Sequence, residues 1–234
     1  GYANRLSSCN ADPCITKQVS TYPEFNPGKI NTTGQTICEG GTANSIGIST
    51  SASGGDGNIS YQWYVNDIAI SEATSASYTP SSTYTSVAGT YTFTRKAQDG
   101  SCSDWQTSNG SYILIVNKAE VTLNDMSPVA ICKGESTRLE ATLNGTPTGS
   151  VSYQWTPATG LSSNTGYAVT ANPTTTTTYT VTATANNNGC TAISTKTVTV
   201  TVNELPTLNV TPTDALCYGS NDGKLTVYVG GSAP

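Results

Sequence analysis

A cysteine followed two residues later by glycine recurs three times, and this recurrence constrains the chain more than any other feature. Ile37-Cys38-Glu39-Gly40 returns as Ile131-Cys132-Lys133-Gly134 and again as Leu216-Cys217-Tyr218-Gly219. The cysteines stand 94 and 85 residues apart, each interval the size of one small domain. Self-similarity at a fixed period means one structural unit used in tandem.

The rest of the unit repeats as well. Ile59-Ser60-Tyr61-Gln62-Trp63 follows the first anchor and Val151-Ser152-Tyr153-Gln154-Trp155 the second. Gly89-Thr90-Tyr91-Thr92-Phe93-Thr94 aligns with Thr178-Tyr179-Thr180-Val181-Thr182. A glycine-led turn then carries a second cysteine, Asp99-Gly100-Ser101-Cys102 in one unit and Asn188-Gly189-Cys190 in the other. Each unit ends in an alternating run, Tyr112 to Val116 and Lys196 to Val202. Alternation at period 2 sends apolar residues to one face of a strand. Leu139, Ala141 and Leu143 share a face, as do Tyr153 and Trp155, then Tyr179, Val181, Ala183 and Ala185, then Val198, Val200 and Val202. Short strands separated by Gly, Asn, Ser and Pro turns predict an all-β fold of tandem Ig-like β-sandwiches. Charged residues are 11% of the chain and apolar residues 35%, which suits thin sandwiches with one wet face per sheet.

Seven cysteines occur with no histidine. Zinc sites are usually built on CxxC pairs or on histidine, and the closest pair here is Cys9 and Cys14. Disulfides in an oxidising compartment are the reading that fits. The repeat predicts one disulfide per domain, Cys38–Cys102 and Cys132–Cys190, each tying the start of a unit to its final hairpin. Each closes a loop of roughly 60 residues, worth about 4 kcal/mol by loop entropy. Cys9 and Cys14 pair locally or belong to an upstream unit. Cys217 opens a third unit whose second cysteine lies beyond Pro234, so the chain reads as a segment of a longer processed protein.

Boundaries follow: residues 1–29 are a connector or the end of a preceding domain, 30–117 the first sandwich, 118–203 the second, and 204–234 the start of a third. In that last stretch Leu225, Val227 and Val229 alternate with Thr226 and Tyr228; one strand and a turn need a neighbour to cover their apolar face.

The net charge of −5 argues against nucleic acid, which needs a basic stripe. No apolar run approaches the ~20 residues of a membrane helix, so no direct insertion is expected. Without histidine the Ser-His and Cys-His nucleophile systems are absent. The acidic residues are scattered through turns, so no catalytic site is expected, and no cofactor. Asp56-Gly57-Asn58 and Asn221-Asp222-Gly223 look like fragments of calcium loops, but Asn, Asp and Gly also suit ordinary turns, and no metal site is assigned. Trp63, Trp155, Tyr91 and Tyr179 are expected in the cores. Trp105 in Ser103-Asp104-Trp105-Gln106 is the candidate surface contact, with Tyr64, whose side chain alternates away from Trp63. Asn31, Asn58, Asn109, Asn144 and Asn209 fit the N-x-Ser/Thr acceptor pattern.

The Cys-x-Gly start, the Tyr-Gln-Trp strand, the run Thr174 to Thr178 before Tyr179 and the Asn-Gly-Cys turn resemble the Ig-like and PKD-like modules of Bacteroidota surface proteins, over roughly residues 30 to 203. Leu216-Cys217-Tyr218-Gly219-Ser220-Asn221-Asp222-Gly223, with Leu225-Thr226-Val227 and Gly230 to Pro234, is similar to the SprB repeat of gliding-motility adhesins. The resemblance implies very large proteins exported by the type IX secretion system to the cell surface, with adhesive or spacing roles and no catalytic residues. The expected function is a secreted, non-catalytic stalk or adhesive array. Its partners would be an unidentified surface or glycan, or further copies in a filament. The alternative is a carbohydrate-binding or spacer module of a secreted hydrolase.

Overall fold

The computed structural model describes residues 21–100, 104–213, 218, 219, 221 and 223–230. The chain divides into two compact units between Lys118 and Ala119. The first unit holds β1 (Lys29–Ile30), β2 (Gln35–Cys38), β3 (Ile48–Thr50), β4 (Ile59–Val65), β5 (Ile68–Ala69), the single turn α1 (Ser82–Thr85), β6 (Gly89–Asp99), β7 (Gln106–Thr107) and β8 (Tyr112–Asn117). Its main sheet runs β2-β8-β6-β4-β5, with β7 also paired to β6, while β1 and β3 form a small second sheet. The second unit holds β9 (Val129–Cys132), β10 (Thr137–Glu140), β11 (Ser150–Thr156), β12 (Ala168–Ala171), β13 (Thr177–Asn187) and β14 (Cys190–Asn203). Its sheets are β11-β13-β14-β9 and β10-β12.

The plan is the same in both. The tryptophan strand pairs antiparallel with an 11-residue central strand, β6 or β13, which pairs with the closing strand. The Cys-x-Gly strand then lies parallel to that closing strand, β2 beside β8 and β9 beside β14. These are the strand neighbours of an Ig-like sandwich with an N-terminal strand added beside its last. The sheets form because each strand alternates: in β13 the burial runs Tyr179, Val181, Ala183 and Ala185 inward, with threonines between them. Slipping β13 by one residue would expose that row, so the register is strongly specified.

Each unit closes its own core. Trp155, Leu139, Val169, Tyr179, Val181 and Val200 form the second; Ile30, Ile46, Trp63, Phe93 and Leu114 form the first. In the first core aromatic rings pack at 5.5–5.8 Å, Trp63 on Tyr78, Tyr78 on Phe93 and Tyr84 on Phe93. Such tilted pairs add about 0.5–1.5 kcal/mol beyond area burial.

Three expectations change. Asn26 bridges to Ser53 and Lys29 pairs with Thr50, so residues 26–29 belong to the first unit and not to a connector. Gly54 shows how closely that segment lies: at φ +86 a Cβ there would stand 2.1 Å from the Glu24 carbonyl oxygen. The alignment of Tyr91 with Tyr179 is offset by two residues. Trp63 faces Arg95 and Trp155 faces Val181, so Phe93 takes the place of Tyr179 and Tyr91 that of Thr177. Tyr91 accordingly packs on the margin of its core while Tyr179 is fully buried. Last, β15 (Thr207–Thr213) and β16 (Lys224–Gly230) form a separate antiparallel hairpin. Its register pairs Leu208 with Val229, Val210 with Val227 and Pro212 with Leu225, and the apolar side chains on that face are exposed.

Candidate contact surface and cysteine sites

The two mid-strand tryptophans are wholly buried. Each indole N–H donates to a carbonyl, Trp63 to Ser75 at 2.8 Å and Trp155 to Gly166 at 2.9 Å. A buried indole with its one donor satisfied is a packing residue; neither ring can present a stacking face to a sugar.

Trp105 is 42% exposed, directly before β7. Tyr64 lies on the outer face of the main sheet, where its ring carries the Lys96 ammonium 4.8 Å from the centroid. The two are not brought together. Tyr64 pairs with Thr94 on one side of β6, and β7 pairs with Lys96 and Ala97 on the other. Adjacent strands are about 4.8 Å apart, so β6 separates them, and no ring contact joins them among the described residues.

Sequence reasoning missed Arg95. It occupies an inward position of β6 and is fully buried. Its guanidinium donates to the Ser108 hydroxyl at 3.1 Å, the Ala76 carbonyl at 2.7 Å and the Pro27 carbonyl at 3.2 Å. It also lies 4.5 Å from the Tyr61 ring centroid. Burial pushes its pKa down from the ordinary guanidinium value, and the Tyr61 ring acts the other way. The side chain ties the segment before β1, the loop before α1 and the residue after β7 to one point. The available signal was strand parity: Phe93, Arg95 and Ala97 share a face.

The outer faces of the main sheets differ. On β13, Thr178, Thr180 and Thr182 stand opposite Thr199, Thr197 and Thr195 of β14, and the Thr178 and Thr199 hydroxyls lie 2.9 Å apart. The first unit instead exposes Ile113 and Ile115 beside Thr92 and Thr90.

The cysteines depart from one closed disulfide per unit. Cys38 and Cys190 are disulfide-bonded, whereas Cys132 is a free, exposed thiol. The expected Cys132–Cys190 bond is therefore not formed. Cys132 sits opposite Asn203, the last residue of β14, and Cys190 is the first. Cys9, Cys14, Cys102 and Cys217 lie outside the described residues.

The five acceptor asparagines are all exposed. Asn31 accepts the Thr33 N–H at 2.9 Å, closing a local turn, and Asn58 donates to Asp56 at 3.2 Å. Asp56 also accepts the backbone N–H groups of Asn58 and Gly100. The Asn58 N–H, first among these donors, holds its carboxyl below the usual range. That is turn chemistry, and among the described residues no cluster of three metal-ligating side chains occurs. A shallow groove lined by Ile70, Ser75, Tyr78 and Tyr84 contains Glu72 as its one carboxylate, short of the pair that glycoside hydrolysis uses.

No family model matches the chain, and no curated protein matches it. Among solved structures it is similar to the I-band fragment I67–I69 from titin, at 18% identity and TM-score 0.41, over 77% of this chain and 65% of that one. It is also similar to Drosophila N-cadherin EC1–4, at 13% identity and TM-score 0.49, over 76% of this chain and 49% of that one. A third is the N-terminal eight Ig domains of Down syndrome cell adhesion molecule, at 16% identity and TM-score 0.39, over 90% and 33%. The chain spans less than two thirds of the length of each.

Proposed function

We propose that this chain is a non-catalytic spacing and adhesive segment of a larger secreted protein, displayed on the outer cell surface. The observation that supports it most is the immediate succession of two Ig-like units, each with its own closed core, divided between Lys118 and Ala119. Such an array supplies length without needing a catalytic centre. The surface-filament or gliding-adhesin reading, with export by the type IX route, rests on the likeness of residues 216–234 to a SprB repeat. The partners would be a surface glycan or other copies of the same protein.

Replacement in cells tests this. Residues 30–203 are exchanged for an unrelated tandem Ig pair of equal length, and attachment to surfaces is scored. A spacer role predicts that attachment survives exchange but falls on deletion. Loss on exchange assigns adhesion to these residues, and unchanged attachment on deletion rejects both roles.

The carbohydrate-binding alternative draws on one observation, the exposed Trp105. A glycan array reads it directly. Specific binding that disappears in Trp105→Ala supports it, and an array that is blank for the intact chain rejects it.

A further inference from the structure

We propose that the groove flanked by Tyr78 and Tyr84 in the first unit binds an uncharged saccharide. This site rests on the adhesive reading above. Its apolar wall is the two tyrosine rings, and its polar side is the Glu72 carboxylate with neighbouring hydroxyls.

The loop that builds the groove is fixed from within its own unit. Residues 70–81 join β5 to α1, and donors on β4 and β6 hold their carbonyls. Gln62 Nε2 donates to the Ile70 carbonyl at 2.7 Å, the Trp63 backbone N–H to Ala73 at 3.0 Å, the Trp63 indole to Ser75 at 2.8 Å and Arg95 to Ala76 at 2.7 Å. Tyr78 exchanges two backbone hydrogen bonds with Ile46. The tyrosine rings are anchored as well. Tyr78 packs on Trp63 and Phe93, and Tyr84 stands edge-on to Phe93 and Tyr91, with centroids 5.5–5.8 Å apart. Both rings remain half-buried. A loop already held in one conformation loses little further freedom when a ligand arrives.

The lining selects the ligand. The groove encloses about 570 Å³, within the ~300–1,000 Å³ range of small-molecule sites. Ser71, Ser77 and Thr83 line it with hydroxyls, each able to donate and to accept. No lysine or arginine lines it and one carboxylate does, so acidic sugars, sulfate and phosphate meet repulsion with no counter-charge. The Glu72 carboxylate is exposed, with no hydrogen-bond or ion-pair partner among the described residues. Its backbone is left-handed, at φ +61. The other described non-glycine residues in that region are Asn66, Asp67 and Asn188, types that adopt it readily. A glutamate there is strained, and such strain concentrates at ligand sites. A pyranose offers C–H groups to the tyrosine rings and adjacent hydroxyls to the carboxylate. An extended peptide finds less, because the carbonyls of Ile70, Ala73, Ser75 and Ala76 already accept from β4 and β6. They leave no main-chain ladder for an added strand.

The full chain is applied to an array of neutral, sialylated and sulfated glycans, and the strongest neutral binder is then titrated in solution. The expected result is binding of neutral glycans that weakens at least about tenfold in Glu72→Gln, through loss of hydrogen bonds to a charged acceptor. Ser77→Trp, which fills the groove from an exposed position, should abolish binding. Both variants should keep the urea midpoint of the first unit, and Trp105→Ala should bind as the intact chain does. Binding that Trp105→Ala removes and Glu72→Gln leaves overturns this site while keeping glycan adhesion elsewhere on the chain. An array that is blank for the intact chain, or that reports only sialylated or sulfated glycans, overturns the site too. So does capture of oligolysine in place of glycans. The exchange of residues 30–203 in cells reports on the adhesive reading separately: attachment lost on exchange, with a blank array, rejects the saccharide site alone.

Discussion

The two units meet one structural demand with opposite chemistry. Opposite the central tryptophan, the second unit places Val181 and the first Arg95. Both side chains are fully buried. Strand parity decides which residue faces the core, but it does not decide polarity. A guanidinium is tolerated there because Ser108, Ala76 and Pro27 supply acceptors, whereas Val181 belongs to the apolar cluster of the second unit. A buried cation without acceptors costs several kcal/mol. The same arginine gathers three separate segments, so the first unit carries a buried charge among its polar contacts, whereas the second fills the matching position with an apolar side chain.

Exchanging these choices tests the contrast most severely. Val181→Arg should unfold the second unit, at a cost above about 4 kcal/mol, read as loss of its transition in urea. A second unit that stays folded would mean it holds acceptors equivalent to those of the first. Arg95→Leu should destabilise the first unit by about 2–4 kcal/mol, because the Ala76 carbonyl loses its donor and the Pro27 carbonyl is left with the Ser108 hydroxyl alone. If stability is unchanged, the arginine is dispensable and the contrast is only one of sequence. Trp155→Phe and Trp63→Phe should cost similar amounts, about 1–3 kcal/mol each, through lost volume and an unpaired carbonyl. Unequal losses would show that one core relaxes where the other does not.

The smallest effect separates the two units by pH. Asp56 in the first unit and Asp125 in the second both have lowered pKa values. A carboxyl whose folded pKa lies below its unfolded value stabilises above the unfolded pKa, and that stabilisation is lost as pH falls through the folded value. Asp56 is held down chiefly by the Asn58 backbone N–H, whereas Asp125 is held by the Lys196 ammonium through a hydrogen bond and its charge. Salt screens exposed charge pairs. Raising the salt to about 1 M should therefore move the Asp125 midpoint up toward the ordinary aspartate range in a carboxyl NMR titration and leave Asp56 nearly fixed. Equal movement of both would remove the distinction.

Much of the fold was legible in the sequence because alternation survives in β6, β8, β13 and β14. Parity reveals faces, so the buried rows around Trp63 and Trp155 follow directly. It does not reveal register to better than two residues, because a slip of two restores every face. That is why Tyr91 stood in for Phe93 beside Tyr179. The cysteines failed for a related reason. Loop length says nothing of which end of a strand each cysteine lies at, and Cys132 stands at the far end of β14 from Cys190 because β9 pairs parallel to it, a long-range pairing that no local pattern encodes. Arg95 was hidden because its acceptors come from residues 27, 76 and 108, far apart along the chain. The separation of Trp105 from Tyr64 likewise depends on which side of β6 each neighbouring strand takes.

The parallel pairing of the Cys-x-Gly strand with the closing strand has a consequence for tension. Four residues of β2 lie in register with β8, and four of β9 with β14. When the ends of a unit are pulled apart, these two strands slide along each other in shear. Parallel rungs are evenly spaced, so they share the force and must fail together. An antiparallel hairpin pulled from its open end would instead peel one rung at a time. In the second unit the Cys-x-Gly strand and the closing strand therefore form the clamp; in the first unit β1, paired with β3, precedes β2 along the chain.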